Sequence, residues 1–206
     1  MYSFMKRIVL LTGGIASGKT FVSDYLSKLN AHVIDTDVIA RNLLLSDASI
    51  YSNSALKSVK DCFGNEIFVN DQLDRKKLRN IIFNDSDAKK SLEEIMHPLI
   101  YRSVIEQLDN DTGSYHLIVI PLLNSQSPYL KLAHDILVIE VDPITQRERV
   151  MMRDGIDEVL ADRIISSQAS NQERRNLAST IIVNTNESYT RNILKQLDKQ
   201  YSLAPL

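Results

Sequence analysis

The chain predicts an α/β fold with a parallel five-stranded sheet flanked by helices, and three observations carry that expectation. Short apolar runs alternate with longer helical patterns along the 206 residues. Two of those runs, Leu117 to Ile120 and Ile136 to Val141, are nearly continuous and rich in branched side chains, as strands buried on both faces are. The third observation is Gly13-Gly14-Ile15-Ala16-Ser17-Gly18-Lys19-Thr20, a glycine-rich turn between an apolar segment and a helical one.

The elements follow in order. A strand over 7–12 leads through that turn into a helix from Phe21 to Leu26, and a second strand covers 32–35. Helical patterns then occupy 37–46, 49–62, 74–83 and 86–110, broken around Phe63-Gly64-Asn65, with no convincing sheet strand among them. Strands return at 116–121 and 135–141. The second gives way to Asp142, a suitable N-cap, and Pro143, a suitable first helical residue. Helices over 156–168 and 172–177, a strand over 180–183 and a last helix over 187–201 complete the pattern. This predicts one domain, with a core at about 1–36 and 115–206 and a helical insertion at about 37–114. An insertion of that length between parallel strands suggests a substrate-binding subdomain; plain structural bulk is the alternative.

Composition narrows the class. The chain is 44% hydrophobic and 24% charged, ordinary for a globular protein. A net charge of −2 gives no reason to expect nucleic acid or an anionic membrane as main partner. Cys62 is the only cysteine, so no intrachain disulfide forms, which fits a reducing cytoplasm. No apolar run approaches the ~20 residues of a membrane span, and the expected location is cytoplasmic. His32, His97, His116 and His134 show no ligand spacing, so a structural zinc site is not expected.

The glycine-rich turn has the G-x-x-x-x-G-K-T spacing of a phosphate loop. Small residues let backbone N–H groups converge on phosphate oxygens, and the following helix N-terminus favours the same charge. Lys19 is placed to reach the outer phosphates and the Thr20 hydroxyl to ligate Mg²⁺, so a nucleoside triphosphate is the expected ligand. Strand 116–121 ends in Pro121-Leu122-Leu123 without an acid, whereas the second strand runs into Asp35-Thr36-Asp37. Were the backbone extended there, both carboxylates would face the phosphate side, one holding a magnesium-bound water and the other meeting an acceptor hydroxyl. Capping of the next helix is the competing reading, with Asp37 at the N-cap. Arg149 and Arg153 share a helix face near Arg147 and suggest a cationic lid, or a solvated basic face. Arg174 and Arg175 form a second, weaker candidate.

With Asp35-Thr36-Asp37-Val38-Ile39-Ala40-Arg41 added to the phosphate loop, the chain resembles the dephospho-CoA kinases. Phe63-Gly64 with Leu73-Asp74-Arg75 and Leu78-Arg79, then Leu92-Glu93 to His97-Pro98-Leu99-Ile100, are similar to stretches of that family. So are Pro121-Leu122-Leu123, Gln146, Arg149, Arg153, Asp154, Gln168-Ala169 and Asn184. The resemblance implies a P-loop kinase-like fold with a helical acceptor-binding insertion and an arginine-rich lid at about 143–175. It implies ATP-dependent phosphorylation of the ribose 3′-hydroxyl of dephospho-CoA, with Mg²⁺, by a monomer or weak homo-oligomer. Asp37 becomes the acid–base candidate, with Lys19 and Arg153 assisting. Gly13, Gly14, Ala16, Ser17, Gly18, Lys19, Thr20, Phe21, Arg149, Arg153 and Asn184 form the ATP side. Asp37, Arg41, Arg75 and His97 form the acceptor side, and Thr20 and Asp35 the metal side.

Three departures bear on detail. Ala16 replaces a glycine usual in the family's loop, which is tolerable if its φ stays negative. Asn124-Ser125 stand where the family commonly has a glutamate, and Asn171 where some members are basic. Rival readings are another small P-loop kinase, or a nucleotide switch without an acceptor.

Overall fold

The computed structural model describes residues 6–45, 49–109 and 113–203. The final positions of the helices expected over 37–46 and 86–110 lie outside the described residues. The chain divides into two compact units, residues 1–35 with 111–206, and residues 36–110.

The first unit opens with β1 (Ile8–Gly13), α1 (Lys19–Ser27) and β2 (Ala31–Asp35). The second unit is helical: α2 (Thr36–Leu43), α3 (Ser52–Phe63), β3 (Phe68–Val69), β4 (Gln72–Leu73), α4 (Arg75–Asn84) and α5 (Ser86–Asp109). The first unit resumes with β5 (Tyr115–Val119), β6 (Asp135–Glu140), α6 (Pro143–Asp154), α7 (Glu158–Ser166), α8 (Asn171–Leu177), β7 (Thr180–Val183) and α9 (Glu187–Tyr201). Its sheet is parallel, with strand order β2-β5-β1-β6-β7.

All five sheet strands fall where the apolar runs put them. Val9, Leu11, Leu117, Val119, Leu137, Ile139 and Ile182 alternate onto one face and bury Val22 and Leu26 of α1 with Leu194, Leu197 and Tyr201 of α9. Ile8, Leu10, Ile118 and Val138 on the other face are equally buried, which explains why these strands read as continuous apolar runs. Pairing stops at Val119, short of the expected end at 121. Ile120 still donates its N–H to the Leu11 carbonyl, but Pro121 has no N–H to continue the ladder. Asp142 caps α6 by accepting from the Thr145 N–H (3.0 Å), with Pro143 in the first turn.

The helical unit has its own core of Val59, Ile67 and Leu78, packed by Phe63, Phe68, Leu73 and Ile95. Gly64 ends α3 at φ +85, a conformation that L residues resist. The hairpin of β3 and β4 was not foreseen; its turn residues Asn70 and Asp71 both have positive φ, as a type I′ turn requires. His97-Pro98 lies in the middle of α5 and does not start a helix.

At the end of α9 the Tyr115 hydroxyl donates to Asp198 Oδ1 (3.2 Å), and the Tyr115 and Tyr201 rings meet edge to face at 5.6 Å. Burial pushes both phenols up, Tyr201 to about 12. A raised phenol favours the native state while protonated. Its contribution is complete below the free value of about 10 and vanishes as pH climbs through the folded value. The melting temperature should therefore fall from about pH 10 to about pH 12, and Tyr201→Phe should make that fall shallower. Parallel curves for the two proteins in pH-dependent thermal denaturation would contradict this.

Candidate functional site

β1 is the strand at which the sheet order reverses, flanked by β5 and β6, and the loop at its carboxyl end lies at that switch point. Backbone approach there is close. A Cβ added to Gly13 would lie 2.3 Å from the Ile139 carbonyl oxygen and 2.8 Å from Ser17 Oγ. At Gly14 it would lie 2.6 Å from Gln146 Nε2 and 3.2 Å from an Arg174 terminal nitrogen. Gly18 sits at φ +103, and a Cβ there would lie 2.3 Å from Asn184 Nδ2. The three glycines are thus demanded by separate neighbours.

Polar groups from distant elements grip the same loop. Gln168 Oε1 accepts from the Ile15 N–H (2.8 Å), and Gln146 Nε2 donates to the Ile15 carbonyl (2.9 Å). Asn184 Nδ2 donates to the Ser17 carbonyl (2.9 Å), while its Oδ1 accepts from the Thr190 hydroxyl (3.0 Å). Lys19 Nζ donates to the carbonyls of Gly13 (2.8 Å) and Gly14 (2.9 Å). Ser17 Oγ is buried without a hydrogen-bond partner among the described residues. Thr20 is exposed in the first turn of α1, and Phe21 stacks on Tyr25 with the Arg191 guanidinium over both rings.

Ala16 has φ +57, so the condition of a negative φ, under which alanine would sit there without strain, is not met. The residue takes the left-handed conformation that glycine adopts freely, and its side chain resists it.

The structure separates the arginines. Arg147 pairs with Glu158 and with Asp162 (2.8 Å), tying α6 to α7. Arg149 reaches the Ala16 carbonyl at 3.4 Å. Arg153 makes a bidentate pair with Asp154, both bonds at 2.8 Å, which raises the arginine and lowers the acid from their usual values. Arg175 holds the buried Glu140 carboxylate at the end of β6 (2.7 Å at its shortest). Arg174 is 6% exposed, bonds Asn171 Oδ1 (2.7 Å) and the Ala169 carbonyl, and is lowered chiefly by burial. Sequence reasoning ranked Arg174 below the lid arginines because nothing in a linear pattern shows which member of an Arg-Arg pair turns inward. Asn171 serves as its partner.

Asp35 ends β2, opposite Val119. The chain turns helical at Thr36, so Asp37 lies exposed in the first turn of α2. The alternation argument for placing both acids on one side therefore fails, because it needs extended backbone through Asp37. No group of three or more His, Cys, Asp or Glu among the described residues forms a metal site. Thr20 and Asp35 still offer oxygen donors of the kind Mg²⁺ takes when phosphate and water complete its octahedron.

Within the helical unit Arg75 donates to the Arg41 carbonyl (2.7 Å), joining the start of α4 to the last turn of α2. His97 is exposed on α5, outside that bond. A cavity of about 310 Å³ is lined by Ile39 and Asn42 of α2, Tyr51 before α3, and Ser103, Glu106 and Gln107 of α5, among others. The Tyr51 hydroxyl donates to Glu106, the first cause of its raised pKa. Asn124 Oδ1 accepts from the Gln126 N–H (2.9 Å) and orders its own turn.

No described helix is long and apolar enough to cross a membrane. The family model of dephospho-CoA kinase matches residues 7–190. A dephospho-CoA kinase of Nitrosomonas europaea is 34% identical over 199 residues, 96% of each chain. A solved Thermus thermophilus protein superposes with TM-score 0.79 at 26% identity, over 95% of this chain and 97% of that one. A solved dephospho-CoA kinase of Campylobacter jejuni gives TM-score 0.62 at 26% identity, over 96% and 98%.

Gly18→Ala tests the close packing of the loop. Its positive φ alone should cost about 1–2 kcal/mol, before any displacement of Asn184. Thermal denaturation should show a lower Tm; an unchanged Tm would mean the loop is not held as described.

Proposed function

The chain belongs to the dephospho-CoA kinase family, and from that premise we propose how its residues share the work. The enzyme is a phosphotransferase that phosphorylates the ribose 3′-hydroxyl of dephospho-CoA to give coenzyme A, the last step of coenzyme A biosynthesis. ATP is the donor.

The phosphate loop, with Gln146, Arg149, Gln168, Arg174 and Asn184 around it, is the observation that carries the donor side. Backbone N–H groups and Lys19 hold the phosphates, and Thr20 with Asp35 would hold Mg²⁺, which supplies charge neutralisation. Asp37 orients the acceptor hydroxyl and takes its proton as the oxygen attacks phosphorus and the bond to ADP breaks. A carboxylate is a weak base toward an alcohol, which suffices when the transition state is largely dissociative and the proton leaves late. Arg149 contacts the loop at the Ala16 carbonyl whereas Arg153 is paired with Asp154, and the lid reading gives Arg149 the larger share in stabilising the transferring phosphoryl group.

Arg41, Arg75 and His97 belong to the acceptor side, and the cavity of the helical unit supplies its wall. Amides, hydroxyls and two isoleucines suit the acceptor's arm, which carries amides, a hydroxyl and a branched alkyl group.

Incubation with Mg-ATP and a panel of dephospho-CoA, adenosine, nucleoside monophosphates and shikimate should give ADP only with dephospho-CoA, with coenzyme A as product. Equal rates with every acceptor would sink the reading. Asp37→Asn should lower kcat with nucleotide binding intact, and near-normal kcat would remove the base assignment. Arg149→Ala should lower kcat/KM by about a hundredfold and Arg153→Ala by less; the reverse order would exchange their roles. Glu106→Ala should raise KM for dephospho-CoA about tenfold without moving KM for ATP. An unmoved KM for dephospho-CoA would exclude the cavity from the acceptor site.

A further inference from the structure

Both backbone groups of one loop residue are taken by side chains remote in sequence. Gln168, between α7 and α8, accepts from the Ile15 N–H, and Gln146, in the first turns of α6 and 5% exposed, donates to the Ile15 carbonyl. Peptides are planar and trans, so a fixed Ile15 carbonyl fixes the opposed direction of the Ala16 N–H. The same plane sets φ of Ala16, which stands at +57. Arg149 touches the next peptide at the Ala16 carbonyl. Ala16 lacks the glycine freedom that would make this conformation effortless, so something outside the residue has to hold it.

We propose that Gln146 and Gln168 are positioning residues that clamp the two peptides on either side of Ile15: Gln168 fixes the Gly14–Ile15 peptide, and Gln146 fixes the Ile15–Ala16 peptide, keeps Ala16 left-handed, and so aims the Ala16 N–H at the phosphates of the bound nucleotide. The proposal rests on the nucleotide occupying the phosphate loop, and not on the identity of the acceptor. It also gives the lid segment a second function, since its ends at Gln146 and Gln168 both fasten to the loop. Gln168 accepts from the N–H of the Gly14–Ile15 peptide and Gln146 donates to the carbonyl of the Ile15–Ala16 peptide, so two consecutive peptides are each held by one glutamine and neither flips without losing its bond.

The test replaces each glutamine by methionine, which keeps length and loses the hydrogen bond. In the full-length protein without acceptor, ADP affinity by calorimetry should fall roughly tenfold in Gln146→Met and in Gln168→Met. In turnover, KM for ATP should rise by a similar factor while KM for dephospho-CoA stays within about twofold. Ala16→Gly should shrink the loss caused by Gln146→Met, which frees the Ile15–Ala16 peptide, because glycine needs no clamp to occupy that conformation. Parent-like ADP affinity in both methionine variants overturns the clamp. An undiminished loss in the Ala16→Gly background overturns its action through Ala16. Gln168 is only half-buried, so its variant carries the test even where Gln146→Met fails to fold. A parent protein that binds ADP but leaves dephospho-CoA untouched would sink the acceptor assignment and leave the clamp standing.

Discussion

The site depends first on how closely the backbone at the end of β1 approaches its neighbours. Gly13 comes so near the Ile139 carbonyl that a methyl group would overlap it, and Gly18 comes as near to Asn184. That approach is possible only with β1 central in a parallel sheet, paired in register with β6 up to Gly13 and Ile139. The loop then emerges at the carboxyl end of the strands and runs directly into the N-terminus of α1, where the helix dipole and unpaired N–H groups favour anions. Asn184, just beyond β7, donates its own N–H to the Glu140 carbonyl (2.7 Å), so even the edge of the sheet contributes to placing the loop.

Charge is arranged on top of that packing. Arg147, Arg153 and Arg175 each meet a carboxylate and hold local structure: one staples α6 to α7, one closes on its neighbour, one covers a buried acid. Arg149 and Arg174 bond only to neutral oxygens in the described contacts, and both do so beside the phosphate loop. A guanidinium kept from water without a bonded counter-ion is costly, and an anionic ligand relieves that cost. Arg149, read from the sequence with Arg153, and Arg174, the weaker candidate there, are thus the two that stand beside the loop without a bonded carboxylate.

Much of the fold was legible because burial on both faces of a parallel sheet leaves continuous apolar runs, and these strands have them. Asp142-Pro143 and Phe63-Gly64 were equally readable, since capping and positive φ act through single residues. The hairpin at Phe68 to Leu73 escaped because a two-residue strand has no period to detect. Ala16 escaped for another reason: its conformation is imposed by neighbours far along the chain, and alanine carries no sign of it. Gln168 and Arg174 were named in the sequence, but what each one bonds was not, because tertiary contacts set those partners. Legibility fell where a residue's state is set by partners instead of by its own chemistry.

In the proposed reading, one local element of the helical unit carries part of a long acceptor's recognition. α2 holds Asp37 in its first turn, then Ile39 and Asn42 in the cavity wall, and Arg41 beside Arg75. At a rise of about 1.5 Å per residue, Asp37 and Asn42 stand about 7.5 Å apart along one rigid axis. In the proposed reading, the acid that meets the reacting hydroxyl and the wall that receives the remote arm are therefore spaced by backbone geometry. Binding energy from the arm then serves positioning of the hydroxyl, which is how contacts far from the chemistry raise kcat as well as affinity. On that reading an acceptor lacking the arm would lose that alignment even with its hydroxyl intact, and specificity would follow from one helix holding both groups.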